Sequence, residues 1–272
     1  MTILVTGATG TVGRRIVDHL VAGGHKVRAL TRNPATAGLP EGVEPVAGDL
    51  TRPETFAAAL DGVTAVHFIT FAGDDYQPLA TAAELVRLAE EAGVLRATVL
   101  SGVQGRAVEE ALQASGMEWT FVQPVEFMGN ALEWSGPARE KGAISEPFPA
   151  ALSAPVHESD IGAVAAVALT GDGHHGQTYT VTGPEVLTKP EKVRIISRAA
   201  GRDIAYVELT EQQARDSWAA KGLPPHVIDF LIGAYGNPPE MAYTVLPTVE
   251  RVTGRPARTY AQWAAEHAAD FR

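Results

Sequence analysis

The chain contains no cysteine. Disulfide staples, thiolate nucleophiles and cysteine-based metal sites are therefore excluded. Basic residues are sparse: 22 Lys and Arg stand against 32 Asp and Glu, for a net charge of −10, and nowhere do they form a run. A surface that tracks nucleic-acid phosphates needs clustered Lys and Arg, so no nucleic-acid partner is expected. No apolar stretch approaches the roughly 20 residues of a membrane span. Met1 leads into a short strand without a basic leader, and a cytoplasmic protein with no membrane association is expected. No G-x-S-x-G elbow occurs, which argues against a hydrolase. His157 and Asp160 lack further ligands nearby, so no metal is expected.

What is present is a repeating alternation. Apolar residues make up 45% of 272 positions, enough for one large α/β domain with a small lobe added. Short β-branched runs at 2–5, 26–31, 43–47, 65–70, 97–100 and 119–122 alternate with helical stretches at 11–22, 53–60, 76–92 and 103–115. Thr51 is a plausible cap for the second helix. Such alternation predicts an α/β fold: a doubly wound parallel sheet of the Rossmann kind, helices on both faces. After Pro124 the rhythm breaks, with a Pro- and Gly-rich stretch to Pro155 and a largely helical remainder. The expected division is a nucleotide-binding domain over 1–154, segments of 155–185 returning to the sheet, and a smaller C-terminal α+β substrate lobe over 186–272.

The first strand runs into Thr6-Gly7-Ala8-Thr9-Gly10-Thr11-Val12-Gly13. Gly7 permits a tight turn, Gly10 lets backbone approach a pyrophosphate, and Gly13 lets the helix pack close to the strand. The helix N-terminus offers free N–H groups and a positive dipole end to phosphates. At the end of the second strand stands Arg32, where an NAD site places an acid; Arg suits a 2′-phosphate, so NADP(H) is expected over NAD(H). Asp49, followed by Leu50, could accept from an adenine amino group or cap the next helix.

These residues resemble the NmrA-like branch of the atypical short-chain dehydrogenase/reductases. The likeness continues through Ser115–Thr120, Pro124–Asn130, His157–Ile161 and Tyr179–Glu185, nearly the whole chain. It implies an extended Rossmann domain that binds NADP(H), with a C-terminal lobe closing over a cleft. Family members include quinone reductases, relatives of isoflavone reductases, and redox sensors that bind the cofactor without turnover. Short-chain dehydrogenases generally carry Tyr-x-x-x-Lys after the fifth strand; here Ser101–Glu110 contains neither residue, and Tyr76 has Ala80 where Lys would stand.

The expected cofactor residues are therefore Gly7, Thr9, Gly10, Thr11, Val12, Gly13, Arg32, Asp49 and Leu50, with Thr70, Phe71, Gly102 and Pro124 at the carboxyl edge of the sheet. Phe127, Met128 and Trp134 are expected to contact substrate, and Tyr76, Gln104 and Glu126 are candidates for proton transfer. The expected function is NADPH-dependent reduction of a small apolar quinone, enone or carbonyl compound by a monomer or homodimer. The alternative is an NADP(H)-binding redox sensor or partner-binding protein without turnover.

Overall fold

The computed structural model describes residues 1–71, 77–102 and 106–272. In chain order the first elements are β1 (Thr2–Val5), α1 (Thr11–Ala22), β2 (Lys26–Thr31), β3 (Glu44–Ala47), α2 (Pro53–Ala58), β4 (Val63–Phe68), α3 (Ala82–Glu91), β5 (Arg96–Leu100), α4 (Ala107–Ala114) and β6 (Glu118–Pro124). There follow α5 (Ser135–Lys141), β7 (Ala143–Pro147), β8 (Leu152–Ser153), α6 (Glu158–Thr170), β9 (Gln177–Val181), β10 (Leu187–Thr188) and α7 (Lys189–Ala200). Last come β11 (Ala205–Leu209), α8 (Glu211–Ala220), α9 (Pro225–Gly236), α10 (Thr248–Thr253) and α11 (Tyr260–Glu266). Among the described residues, no helix is long and apolar enough to cross a membrane.

The chain forms two compact units. One comprises Met1–Pro124, Glu158–Val181 and Thr248–Arg255; the other comprises Val125–His157, Thr182–Pro247 and Pro256–Arg272. This division and the sequence expectation differ over 125–154, which falls in the second unit, and over 248–255, which falls in the first.

The first unit holds a seven-stranded sheet in the order β3-β2-β1-β4-β5-β6-β9, every neighbouring pair parallel. Ile3, Leu4 and Val5 are fully buried, as a central strand covered on both faces requires. Helix α1 buries Val12, Ile16, Val17 and Leu20 on one face. Helix α6 is apolar nearly all round because α1 lies tight against it: a Cβ at Gly162 would sit 2.7 Å from Arg15 Cβ. Thr51 does not cap α2; the N-cap is Arg52, and Thr51 turns back onto Asp49.

In the second unit, β7 pairs with β11 in parallel and β8 with β10 antiparallel. Its main core gathers Tyr260, Trp263 and Phe271 around Val193 and Ile196 of α7. A smaller cluster joins α8 to α9 through Trp218 and Ile228.

His67, on the central strand β4, is fully buried; one ring nitrogen meets Thr98 Oγ1 at 2.8 Å and the other has no partner among the described residues. Burial drives its pKa from 6.5 down to about 3. The unfolded chain takes up this proton near pH 6.5 and the folded chain does not, so stability falls as pH drops from 6.5 toward 3. The expected contribution is about 1.4 kcal/mol per pH unit over that window. Urea unfolding at pH 7 and pH 5 checks it: His67→Leu should remove roughly 2 kcal/mol of the difference between the two.

Candidate functional site

The loop after β1 is shaped by contacts that leave no room for side chains. Gly7 adopts a φ of +61°, and a Cβ there would meet Ile69 Cγ2 at 2.8 Å. Its carbonyl accepts from Gly10 N–H at 2.9 Å, closing the turn. A Cβ on Gly13 would lie 2.1 Å from Gly7 O, so the first turn of α1 is pressed against the loop. Thr6 Oγ1 donates to His67 O at 2.9 Å and accepts from Ile69 N–H at 3.0 Å, tying the end of β1 to the end of β4. Gly10 is the N-cap of α1 and supplies no capping side chain, and no acid stands in the first turn. The N–H groups of Thr11, Val12 and Gly13 find no partner among the described residues, which leaves a helix N-terminus ready for an anion.

A cavity of about 600 Å³ opens beside this turn, bounded by Gly7, Thr9 and Gly10, the loop 30–37, residues 48–51, and Ile69 with Phe71. Arg14, which no motif marks, donates to Gly38 O at 2.7 Å and Ala37 O at 3.0 Å and so fixes one wall. Arg32 is exposed at this cavity and forms no ion pair among the described residues. Asp49 Oδ1 accepts from Thr51 N–H at 2.9 Å and Thr51 Oγ1 at 2.8 Å. Those hydrogen bonds, with smaller help from the Arg32 and Arg52 charges, hold its carboxyl below the usual range. Asp49 therefore closes a local turn and is not the cap of α2. Close packing of Gly48, where a Cβ would lie 2.4 Å from Leu30 Cδ1, keeps this wall thin.

Of the residues expected to hold a cofactor, Gly7, Thr9, Gly10, Arg32, Asp49, Leu50 and Phe71 line the cavity. Thr11, Val12 and Gly13 stand behind it in α1, the last two buried, and bear on it through backbone alone. Thr70 is buried, its carbonyl accepting from Leu79 N–H at 3.1 Å. Gly102 is exposed and Pro124 closes β6; neither lines the cavity. Thr31, Asn33 and Thr36 line it without having been singled out; the turn chemistry of Asn33-Pro34 was the signal. Tyr76 and Gln104 lie outside the described residues.

The second unit holds the other candidates. Met128 is 1% exposed and belongs to the core cluster that also holds Ala131 and Ala138, so its side chain is covered by protein. Phe127 and Trp134 are partly buried. Glu126 is not a free acid on the surface: Lys192 Nζ donates to its two oxygens at 2.8 and 2.6 Å. Lys192 is itself buried, and desolvation lowers its pKa while Glu126 pulls it back up. Phe148 is the one non-glycine described residue with a left-handed φ, 58°. For a bulky side chain this costs on the order of 1–3 kcal/mol and is held only by its surroundings.

The parallel sheet and the glycine turn with its uncapped helix define the chain as a Rossmann-type α/β protein. It belongs to the NmrA-like family, whose model matches residues 1–232. It is 39% identical to an NAD(P)H azoreductase of Xenophilus azovorans, over 99% of both chains. It is 38% identical, over the same shares, to the (4-alkanoyl-5-oxo-2,5-dihydrofuran-3-yl)methyl phosphate reductase of Streptomyces griseus subsp. griseus. In fold it is similar to the NADPH-dependent quinone oxidoreductase of Escherichia coli complexed with NADPH, with a TM-score of 0.83, 22% identity, and coverage of 97% of this chain and 99% of that one.

Proposed function

We propose that this protein is an NADPH-dependent oxidoreductase that reduces a small conjugated acceptor of the quinone, enone or azo type. The observation that carries the reading is the cavity itself: on one side N–H groups at the start of α1 with no partner among the described residues, on the other Arg32, which forms no ion pair among them. The two full-length reductase relatives support it. When bound, the cofactor supplies a hydride equivalent. This chain's residues hold it: the backbone of Gly10–Gly13 takes the pyrophosphate, Arg32 with Asn33 the 2′-phosphate, and the 48–51 wall the adenine end. Positioning and exclusion of water carry most of the catalysis, since no Tyr-x-x-x-Lys follows β5 in the sequence.

NADPH oxidation by the purified protein against quinones, enones and azo dyes tests this reading. Tight NADPH binding with no oxidation across the panel sinks it and leaves a redox sensor. Arg32→Ala is expected to weaken NADPH roughly tenfold or more while leaving NADH unchanged, because only the 2′-phosphate contact is lost. Parallel fluorescence titrations with the two dinucleotides read the difference; equal losses for both would remove Arg32 from this role.

A further inference from the structure

Residues 32–42 form one wall of the cavity, and little packing holds them in place. Arg32, Asn33, Thr36 and Ala37 line the cavity. Ala37 is buried; every other residue from 32 to 42 is partly or fully exposed. The hydrogen bonds within this stretch are local and long. Asn33 N–H donates to Thr31 Oγ1 at 3.3 Å, Thr36 N–H to Asn33 O at 3.3 Å and Ala37 N–H to Pro34 O at 3.4 Å. Pro34–Thr36 make a single 3₁₀ turn with no side-chain cap. A segment with few buried contacts and exposed hydrogen bonds stands at the low-stability end of a fold.

Arg14 ties this segment down. Among the described residues, the hydrogen bonds that join 32–42 to another element are the two from its guanidinium, to Ala37 O at 3.0 Å and Gly38 O at 2.7 Å. Gly38 turns into the left-handed region, with a φ of +56°, and the two successive carbonyls meet one planar fork. Arg14 itself stands in the first turn of α1, where its N–H donates to Gly10 O at 3.0 Å. It has no carboxylate partner among the described residues and does not line the cavity. One side chain thus runs from the helix end assigned to the pyrophosphate to the loop assigned to the 2′-phosphate. All of these residues lie in the first unit.

We infer that Arg14 is the positioning residue for 2′-phosphate recognition. It fixes the separation between the N-terminus of α1 and Arg32, and so sets the preference for NADPH over NADH without touching the cofactor. The inference rests on the cofactor assignment made above. A ligand that bridges two anion sites binds best when their spacing is set beforehand; a loop that must be ordered on binding takes its cost from the affinity. The pyrophosphate contact is shared by both dinucleotides and lies on α1 itself. Loss of Arg14 therefore falls on the 2′-phosphate, which NADH lacks. The geometry of the fork matters as well as its charge: a lysine ammonium keeps the charge and loses the two parallel donors.

Arg14→Met and Arg14→Lys test the inference, with NADPH and NADH titrated in parallel by nicotinamide fluorescence. We expect Arg14→Met to weaken NADPH roughly fivefold or more and NADH less than about twofold. Arg14→Lys should resemble Arg14→Met; a lysine variant with the parent's preference for NADPH overturns the positioning role and leaves only a charge. In the Arg32→Ala chain, Arg14→Met should change the ratio of the two affinities by less than about twofold, because the contact it positions is already gone. Fully additive losses overturn the inference. A further readout needs no cofactor. Glu41 and Gly42 are exposed, and a glutamate-specific protease should cut between them about threefold faster or more in Arg14→Met. Unchanged cleavage, or equal losses for NADPH and NADH, overturns the inference. A parent without preference for NADPH removes the cofactor assignment and this inference with it. A preference that falls in Arg32→Ala and persists in Arg14→Met overturns the inference alone.

Discussion

Gly13→Ala should cost both fold and ligand. The added Cβ would stand 2.1 Å from Gly7 O, a distance no backbone pair accepts, so α1 must move off the loop. Overpacking at a buried site costs about 1–3 kcal/mol, and more where backbone is the obstacle. The moved helix also withdraws its free N–H groups, and NADPH affinity should fall at least 100-fold, about 2.7 kcal/mol. Gly10→Ala is the informative control. Its Cβ would lie 3.2 Å from Gly7 O, a tight contact that a shift of a few tenths of an ångström relieves, and its φ of −79° suits any residue. Stability should hold while NADPH binding drops, because the methyl occupies the face where a phosphate approaches. Urea unfolding and NADPH titration on both variants separate helix packing from ligand approach; equal stability for the two would refute the assignment.

Glu126→Ala should be at least as damaging to stability, although no ligand contact is invoked. Lys192 is 2% exposed and Glu126 is its carboxylate. Truncating one partner strands a buried charge, at about 3–5 kcal/mol. The sign of the pH dependence follows. Without Glu126 the Lys192 pKa falls further in the folded state, so the unfolded chain holds more protons, and stability recovers as pH rises toward 10. Replacing both residues by apolar ones of similar volume should recover most of the loss at pH 7. Urea midpoints for the single and double variants decide it; a single variant within 1 kcal/mol of the parent would mean that Lys192 finds water or Glu146 instead.

Much of the first unit was legible because its signals are local. The strand-to-helix joint at 6–13 and the Arg32 position depend on neighbours within a few residues, and Gly7, Thr9, Gly10 and Arg32 line one cavity. The helix periodicity of 11–22 was likewise readable, since α1 buries the same Val12, Ile16, Val17 and Leu20 that its spacing marks. What escaped lies across long sequence separations. Glu126 looks like a surface acid until Lys192, 66 residues on, donates to it. Arg14 looks like an exposed helix residue until its guanidinium meets the carbonyls of 37 and 38. Met128 shares its spacing with Trp134, yet one is core and the other partly exposed; periodicity marks a face without saying what covers it.

The way the chain is shared between the units has a consequence for how it can be handled. The backbone passes from one unit to the other five times, after residues 124, 157, 181, 247 and 255. No single cut yields an intact half. Deleting everything past 247 takes Thr248–Arg255 from the sheet's unit and the Trp263 core from the other at one stroke. Strand β9 completes the sheet edge and Thr248–Arg255 is the last segment of the same unit, so a nascent chain cannot finish that unit until two of the three segments of the other have been made. Chimaeras that trade the second unit between relatives must therefore exchange three separate segments together.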